Sequence, residues 1–424
     1  MLNQTFDQNS LLRLTKRHEI IKFSLGRNLE EYKVSLSKIS KEIKDEHYEL
    51  KSCSSHKITR NNKTTTIYSV TDAADYYALK KITDNIKRLY RVKYSSRHEI
   101  SEQILRIFED SSDMMILRLD IASFFESINI GKVIERIKTD NILSRKSLEI
   151  IENTIKNLRI AGLPRGLPIS SPLSEIFMEE FDESIRSLDG IYYYSRYVDD
   201  IIIISTNSDK SLKSIITKEL KYIGLEANEK TEEKEISKST ETVTYLGYQY
   251  TLHPISESNK LNKRHVSVKM SKNKINKIKT RIVLSLINYN IQNKSYKNKA
   301  IDNLHRHFRD RTLRNRIKFL SGNYEVRDNS QNKNNDDEGK TVLKGGVFYN
   351  NPLLNNIEQL EELNVFIRSL LFTNKNSLFG KRIRRIPIEL RRELASTDFK
   401  HGFESRVTHR FFDFQLKEIC EIWK

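Results

Sequence analysis

Cysteine is scarce: Cys53 and Cys420, the only two in 424 residues, lie at opposite ends of the chain with no CxxC pair and no neighbouring histidine pair. That pattern excludes a disulfide scaffold and a structural zinc site. Long apolar runs are missing too. The longest purely aliphatic stretch is the four isoleucines at 201–204, far short of a membrane span. The first ten residues carry neither a basic n-region nor an apolar h-region, so the expectation is a cytoplasmic protein with no membrane partner. There is no internal repeat.

Charge is what the chain has in abundance. Lys plus Arg number 74 against 56 Asp plus Glu, a net +18 at pH 7, and 31% of residues are charged against 37% apolar. The length predicts two or three domains with real cores. The basic balance predicts a polyanionic partner, nucleic acid ahead of an acidic membrane surface or mere solubility.

Three textures follow one another. Residues 1–113 read as mainly helical and basic, with Leu36, Ile39 and Ile43 at helical spacing. From 114 to 258, short β-branched or aromatic runs alternate with helical stretches, an α+β layer pattern. Residues 259–424 read as a separate helical region in which Ser271 would cap a helix with Ile275, Ile278 and Ile282 on one face. Within it, 327–346 is polar and nearly free of apolar residues, which predicts a mobile loop.

The sharpest feature is Tyr197-Val198-Asp199-Asp200, set between the strand-like runs 191–194 and 201–204. Two adjacent acids between apolar runs repel and resist desolvation unless the chain turns there and a cation bridges them. A third acid, Asp120, ends the apolar strand-like run 114–119. Three aspartates on two adjacent strands predict a divalent-ion site, and two Mg²⁺ ions on hard oxygens suit in-line phosphoryl displacement. The implied chemistry is nucleotidyl transfer. An ordinary hairpin with acids at its turn is the simpler alternative.

Between the acidic strands, Gly162-Leu163-Pro164-Arg165-Gly166 makes a fixed loop where backbone can approach a ligand, and Ser171-Pro172 would then start a helix burying Leu173, Phe177, Phe181 and Ile185. In order, these blocks resemble the motifs of reverse transcriptases over roughly 91–271. Asp120 with Phe124-Phe125 is similar to the first palm motif, the 162–175 block to the second, and Tyr197-Val198-Asp199-Asp200 to the third. Gly224-Leu225-Glu226-Ala227-Asn228-Glu229-Lys230-Thr231 resembles the fourth, and Tyr245-Leu246-Gly247-Tyr248 the primer-grip block.

The resemblance implies a right-hand polymerase with fingers over 1–113, a palm over 114–258, and a thumb and C-terminal region over 259–424. It makes Asp120, Asp199 and Asp200 catalytic, and with Ile121 the ligands of two Mg²⁺ ions, Mn²⁺ being able to substitute. It places Lys230 near the leaving pyrophosphate, and Phe125, Arg165, Gly166, Lys93 and Arg97 around the incoming dNTP. Tyr197, Leu246 and Gly247 would meet nucleic acid, as would Lys272, Lys274 and Lys277 on a basic helix that could track phosphates. The family usually carries Gln at the position of Arg165, and its fourth motif is commonly one residue longer between Asn228 and Lys230.

The form Gly-x-Pro-x-Gly-x-x-x-Ser-x-x-Leu-x-Glu, read from Gly162 to Glu175, is most similar to bacterial antiviral enzymes of the abortive-infection and defence-associated groups. Segments 315–324 and 345–350 resemble the type 3 defence-associated subtype. A noncoding RNA template, a DNA product or RNA–DNA duplex, and either a second defence protein or self-assembly are the partners this implies. Retron and group II intron enzymes are the nearest rivals. An RNA-directed RNA polymerase is disfavoured because Phe125 puts an aromatic ring where such an enzyme needs a polar group for the ribose 2′-hydroxyl. A non-catalytic binding protein is disfavoured because it would have no reason to keep three acids together.

Overall fold

A computed structural model describes residues 2–423 apart from 61–62, 207–211, 230, 238, 256–262, 291–298, 327–342 and 374–376. The chain divides into two units, one formed by 1–100 with 112–237 and the other by 101–111 with 238–424.

In the first unit, a hairpin of β1 (Cys53–Arg60) and β2 (Lys63–Val70) interrupts the expected helical N-terminal region. The reason is local: the run Thr64-Thr65-Thr66-Ile67-Tyr68 is β-branched and aromatic, stiff side chains that favour a pleated surface over a helix. The following helix Ala73–Leu89 starts where the Asp72 side chain accepts the amides of Ala74 and Asp75. Its own Asp75 is buried and takes bonds from the Tyr48 hydroxyl at 2.8 Å and the Ser52 amide at 2.7 Å.

Four strands make the central sheet: β3 (Met114–Asp120), β4 (Ile191–Tyr197), β5 (Asp200–Ser205) and β6 (Glu232–Ile236), in the order β4-β5-β3-β6 and antiparallel throughout. The central strand β5 is covered on both faces, and its isoleucines 201–204 are all fully buried. That explains an unbroken apolar run where a half-exposed strand would alternate. The helix Ser170–Arg186 packs on β4 and buries Leu173, Phe181 and Ile185, with Phe177 half-buried. It begins two residues before the expected start, with Ile169 rather than Ser171 in the capping position. The Ser170 hydroxyl bonds the Pro164 carbonyl at 2.6 Å and fixes the entry from the preceding loop.

The second unit also holds more strand than expected. β7 (Glu241–Tyr245), β8 (Tyr248–Leu252) and β9 (Val266–Met270) form an antiparallel sheet in that order, and Phe108 meets Tyr250 edge-on. Edge strand β9 is closed by side-chain amides. Asn355 bonds the Val268 amide and the Val266 carbonyl, both at 2.7 Å, and Gln359 does the same to Met270 at 2.9 and 3.0 Å. These two residues supply the hydrogen bonds a further strand would make, which shields an edge open to pairing with another chain.

The helix Lys272–Ile287 follows Ser271 and buries Ile275 and Ile282. Lys272 and Lys277 are exposed on it, whereas Lys274 is half-buried, donates to the Asn350 carbonyl at 3.0 Å and lies over the Tyr248 ring. A second sheet joins β10 (Asn323–Val326) to β11 (Leu343–Gly346) and, in parallel, to β12 (Thr408–Phe411). Of the segment expected to be a mobile loop, 327–342 lies outside the described residues and 343–346 is strand β11. No described helix is long and apolar enough to cross a membrane.

Candidate active site

Asp120 is the last residue of β3 and stands directly opposite Asp200, the first residue of β5. Tyr197 pairs with Asp200 across the β4–β5 hairpin, so Val198 and Asp199 alone make the turn. Val198 sits at φ 61°. A β-branched residue there is strained by roughly 1–3 kcal/mol, and what holds it is partly visible: the buried Arg196 donates to the Val198 carbonyl at 3.1 Å, and the Ile121 amide donates to the Asp199 carbonyl at 3.0 Å. The short turn thereby sets Asp199 beside Asp120 and Asp200.

The segment 226–228 closes the other side. The Ala122 amide donates to the Glu226 carbonyl at 2.9 Å, and the Asn228 amide to the Asp120 carbonyl at 2.6 Å. The Asn228 side chain also donates to the Asp120 carboxylate at 3.0 Å. Burial, reinforced by the neighbouring carboxylates, pushes the Asp199 and Asp200 carboxyls above their ordinary range, against the pull of Arg165 on the first and Arg118 and Arg97 on the second. Arg118 approaches Asp200 at 3.6 Å.

Among the described residues, no three His, Cys, Asp or Glu side chains are gathered closely enough to hold a metal ion. The expected three-aspartate cluster is therefore present as neighbours and not as a closed cage: Asp200 is engaged by Arg118 and Asp120 by Asn228. The donor chemistry nevertheless fits a hard divalent cation. All three groups are carboxylate oxygens, and two of them are disfavoured as anions where they stand. Raised carboxyl values have a consequence for stability. The folded state keeps these protons to higher pH than the unfolded chain does, so their contribution is most favourable below the ordinary carboxylate range and is lost as pH rises through the raised values. In metal-free buffer, D199N/D200N should melt above the wild type at pH 7, and the difference should shrink as the pH falls to about 4. An equal difference at both pH values would show that carboxylate charge is not its cause.

Beyond Asp120 the chain passes through Ser123 in the left-handed region and into one helical turn, Phe124–Ser127. Phe124 is buried and Phe125 half-buried, their rings 5.3 Å apart. The loop 162–166 lies against this turn. The Leu163 amide donates to the Phe125 carbonyl at 2.7 Å, and a Cβ on Gly162 would come within 2.3 Å of the Glu126 carbonyl oxygen. On its far side, Gly166 at φ 105° leaves no room for a Cβ against Tyr68, whose amide donates to the Arg165 carbonyl at 2.8 Å. Both glycines are thus required by close backbone approach.

These segments enclose a cleft of about 680 Å³, with Asp120, Asp199 and Asn228 at one wall, Arg165 and Glu126 at another, and Thr64, Thr65 and Tyr68 of β2 at a third. Of the two rings, Phe124 is among the described lining residues and Phe125 is not; the Arg165 guanidinium lies over the Phe125 ring at 5.2 Å from the centroid. Residues 64–68, Glu126, Arg118 and Arg196 belong to this site and are not singled out by sequence motifs. The β-branched run 64–67 is the one signal that identifies the hairpin.

Other expected residues fall elsewhere. Arg97 acts on Asp200 electrostatically, but Lys93 lines a separate cleft of about 200 Å³ with Tyr90, Glu175 and Glu179. Tyr197 is more than a third exposed beside the turn. Leu246 and Gly247, both at positive φ, make the two-residue turn of the β7–β8 hairpin, with Leu246 buried. Lys230 lies outside the described residues.

Residues 62–250, a little under half of the chain, match the family described as reverse transcriptase (RNA-dependent DNA polymerase). This segment is thus similar to a reverse transcriptase domain, and its antiparallel central sheet with packed helices is an α+β fold. Among solved structures, a C-terminally truncated apo telomerase from Candida tropicalis is similar at 17% identity and TM-score 0.39, over 52% of this chain and 55% of that one. The telomerase from the same organism in complex with a fragment of telomeric RNA is similar at 14% identity and TM-score 0.37, over 80% of this chain and 65% of that one. The chain thus spans less than two thirds of the length of either.

Proposed function

We propose that the chain is an RNA-directed DNA polymerase that adds dNTPs to a 3′-hydroxyl on a noncoding RNA template in bacterial antiphage defence. The observation that carries the polymerase reading is the convergence of Asp120, Asp199 and Asp200 at one end of two adjacent strands, with Asp120 and Asp199 lining a cleft that Gly162 and Arg165 also line. Fingers over 1–113, a palm over 114–258 and a thumb from 259 onward are the corresponding domains. The defence setting rests on the form of the 162–175 block alone.

The three aspartates, with Ile121, would hold two Mg²⁺ ions, whose chemistry when bound is to activate the attacking hydroxyl and neutralise the leaving oxygens. The chain's own residues do the positioning. Arg196 and the Ile121 amide hold the Val198–Asp199 turn; Asn228 orients Asp120; the backbone of 162–166 shapes the nucleotide wall. Arg97 supplies cationic charge for the triphosphate and Arg165 faces the incoming nucleotide; Lys230 gives a charge or proton for the pyrophosphate, and Lys272 and Lys277 exposed charge for duplex phosphates. Tyr197 and the Leu246–Gly247 turn are assigned, on the resemblance, to contact with nucleic acid.

The test is extension of a primed RNA by the purified protein with Mg²⁺ and each dNTP or rNTP. Incorporation of dNTPs with rejection of rNTPs is expected, and failure to extend with any dNTP would overturn the reading. In the same assay, Phe125→Val should lower the dNTP-to-rNTP ratio of kcat/KM by about tenfold or more without abolishing synthesis. Phe124→Ala, which empties a fully buried site, should instead destabilise the fold by about 3–5 kcal/mol. A Phe125→Val enzyme with an unchanged ratio and a lowered Tm would make that ring structural.

A further inference from the structure

Arg165 is tightly constrained by its surroundings. Two parallel bonds join it to Glu126, Nε to Oε1 at 2.9 Å and Nη2 to Oε2 at 3.1 Å, the planar fork geometry that guanidinium and carboxylate favour. Its backbone is stitched to β2 through the Tyr68 amide, and the loop that carries it is stitched to the Phe125 carbonyl through Leu163. With the backbone fixed on both sides, the remaining freedom of Arg165 is in its side chain, and Glu126 removes it. The result is a cation laid on the Phe125 face at 5.2 Å.

Stability does not account for the pair. Arg165 and Glu126 are 36% and 42% exposed, and ion pairs this wet add little to folding. Orientation is the larger effect. Arg165 also lies within electrostatic reach of Asp199, so a released guanidinium has a second anion to turn to.

We infer that Glu126 is a positioning residue for sugar selection: it pins Arg165 across Phe125, so that the guanidinium, backed by the ring, is the surface against which the incoming sugar is sized. This rests on the reading of the cleft as the nucleotide site of a DNA polymerase. A lone aromatic ring can swing aside, whereas a ring capped by a tethered cation yields less, and exclusion by clash depends on a wall that does not yield. Glu126 itself need not touch the nucleotide.

The experiment compares wild type, E126Q, E126D, R165M and the double variant E126Q/R165M on a primed RNA with Mg²⁺, measuring kcat/KM for one dNTP and the matching rNTP. Each variant's melting temperature is recorded alone and with each nucleotide. E126Q and R165M should each lower the dNTP-to-rNTP ratio by about tenfold. The double variant should be no worse than either single one, because both act through the same contact, and E126D should recover most of the ratio. The stabilisation given by dNTP over rNTP in the melting curves should narrow in parallel. An E126Q ratio equal to wild type, while Phe125→Val lowers it, would overturn the inference and leave the polymerase reading standing. A wild type that extends with no dNTP would overturn both.

Discussion

Asp199→Ala with Asp200→Ala, or Asp120→Ala alone, should abolish dNTP incorporation, a loss of at least about a thousandfold, since a preorganised electrostatic centre disappears at the reacting atoms. Folding and RNA binding should survive. The Asp199 and Asp200 carboxyls sit in surroundings that already disfavour their charge, and no basic side chain is changed. The measurement pairs single-nucleotide incorporation with RNA binding and a melting curve. Retained synthesis in either variant would remove the proposed centre, and lost RNA binding would mean that these residues serve the fold.

The second large effect lies behind the turn. Arg196 is only 4% exposed and is held by two carboxylates of the helix Ser170–Arg186. It bonds Asp182 at 2.7 and 2.9 Å and Glu175 at 2.7 and 3.2 Å, while the Tyr194 hydroxyl adds a bond to Asp182 at 2.6 Å. Burial alone would lower the guanidinium's proton affinity, but the two carboxylates outweigh it and raise it. Arg196→Met leaves two acids buried without their cation, which should cost about 3–5 kcal/mol of stability. The triple change R196M/E175Q/D182N should restore much of that, because no charge is then stranded. Urea unfolding of the three proteins decides it. A single variant as stable as wild type would mean that water reaches the acids. Because Arg196 also bonds the Val198 carbonyl, the restored triple variant should still polymerise slowly.

What the sequence revealed and what it hid divide along physical lines. The aspartates were legible because charge inside apolar runs is costly and therefore informative, and the fully buried isoleucines 201–204 because nothing but a covered strand tolerates them. The 162–166 loop was legible from its glycines, each of which proves to face backbone at close range. The β1–β2 hairpin was missed because helical spacing on either side of it dominated the reading. Arg196 and Glu126 were hidden for another reason. Their partners lie 14, 21 and 39 residues away, and a surface-type residue made important by a distant partner leaves no local pattern. The same holds for Asn355 and Gln359, whose work on strand β9 spans 87 to 89 residues.

The order of strands β4-β5-β3-β6 also bears on how the chain is made. β3 leaves the ribosome about 80 residues before β5, the strand that covers it on one side, and Asn228, which closes the site over Asp120, is 108 residues downstream. During that interval an apolar edge, 114–119, waits unpaired. When β5 follows, it arrives joined to β4 by a two-residue turn, so a preassembled hairpin can dock on the waiting edge in one event. A nascent chain stalled between 130 and 190 would carry the exposed edge with no partner, the interval in which chaperone capture or aggregation is most favoured.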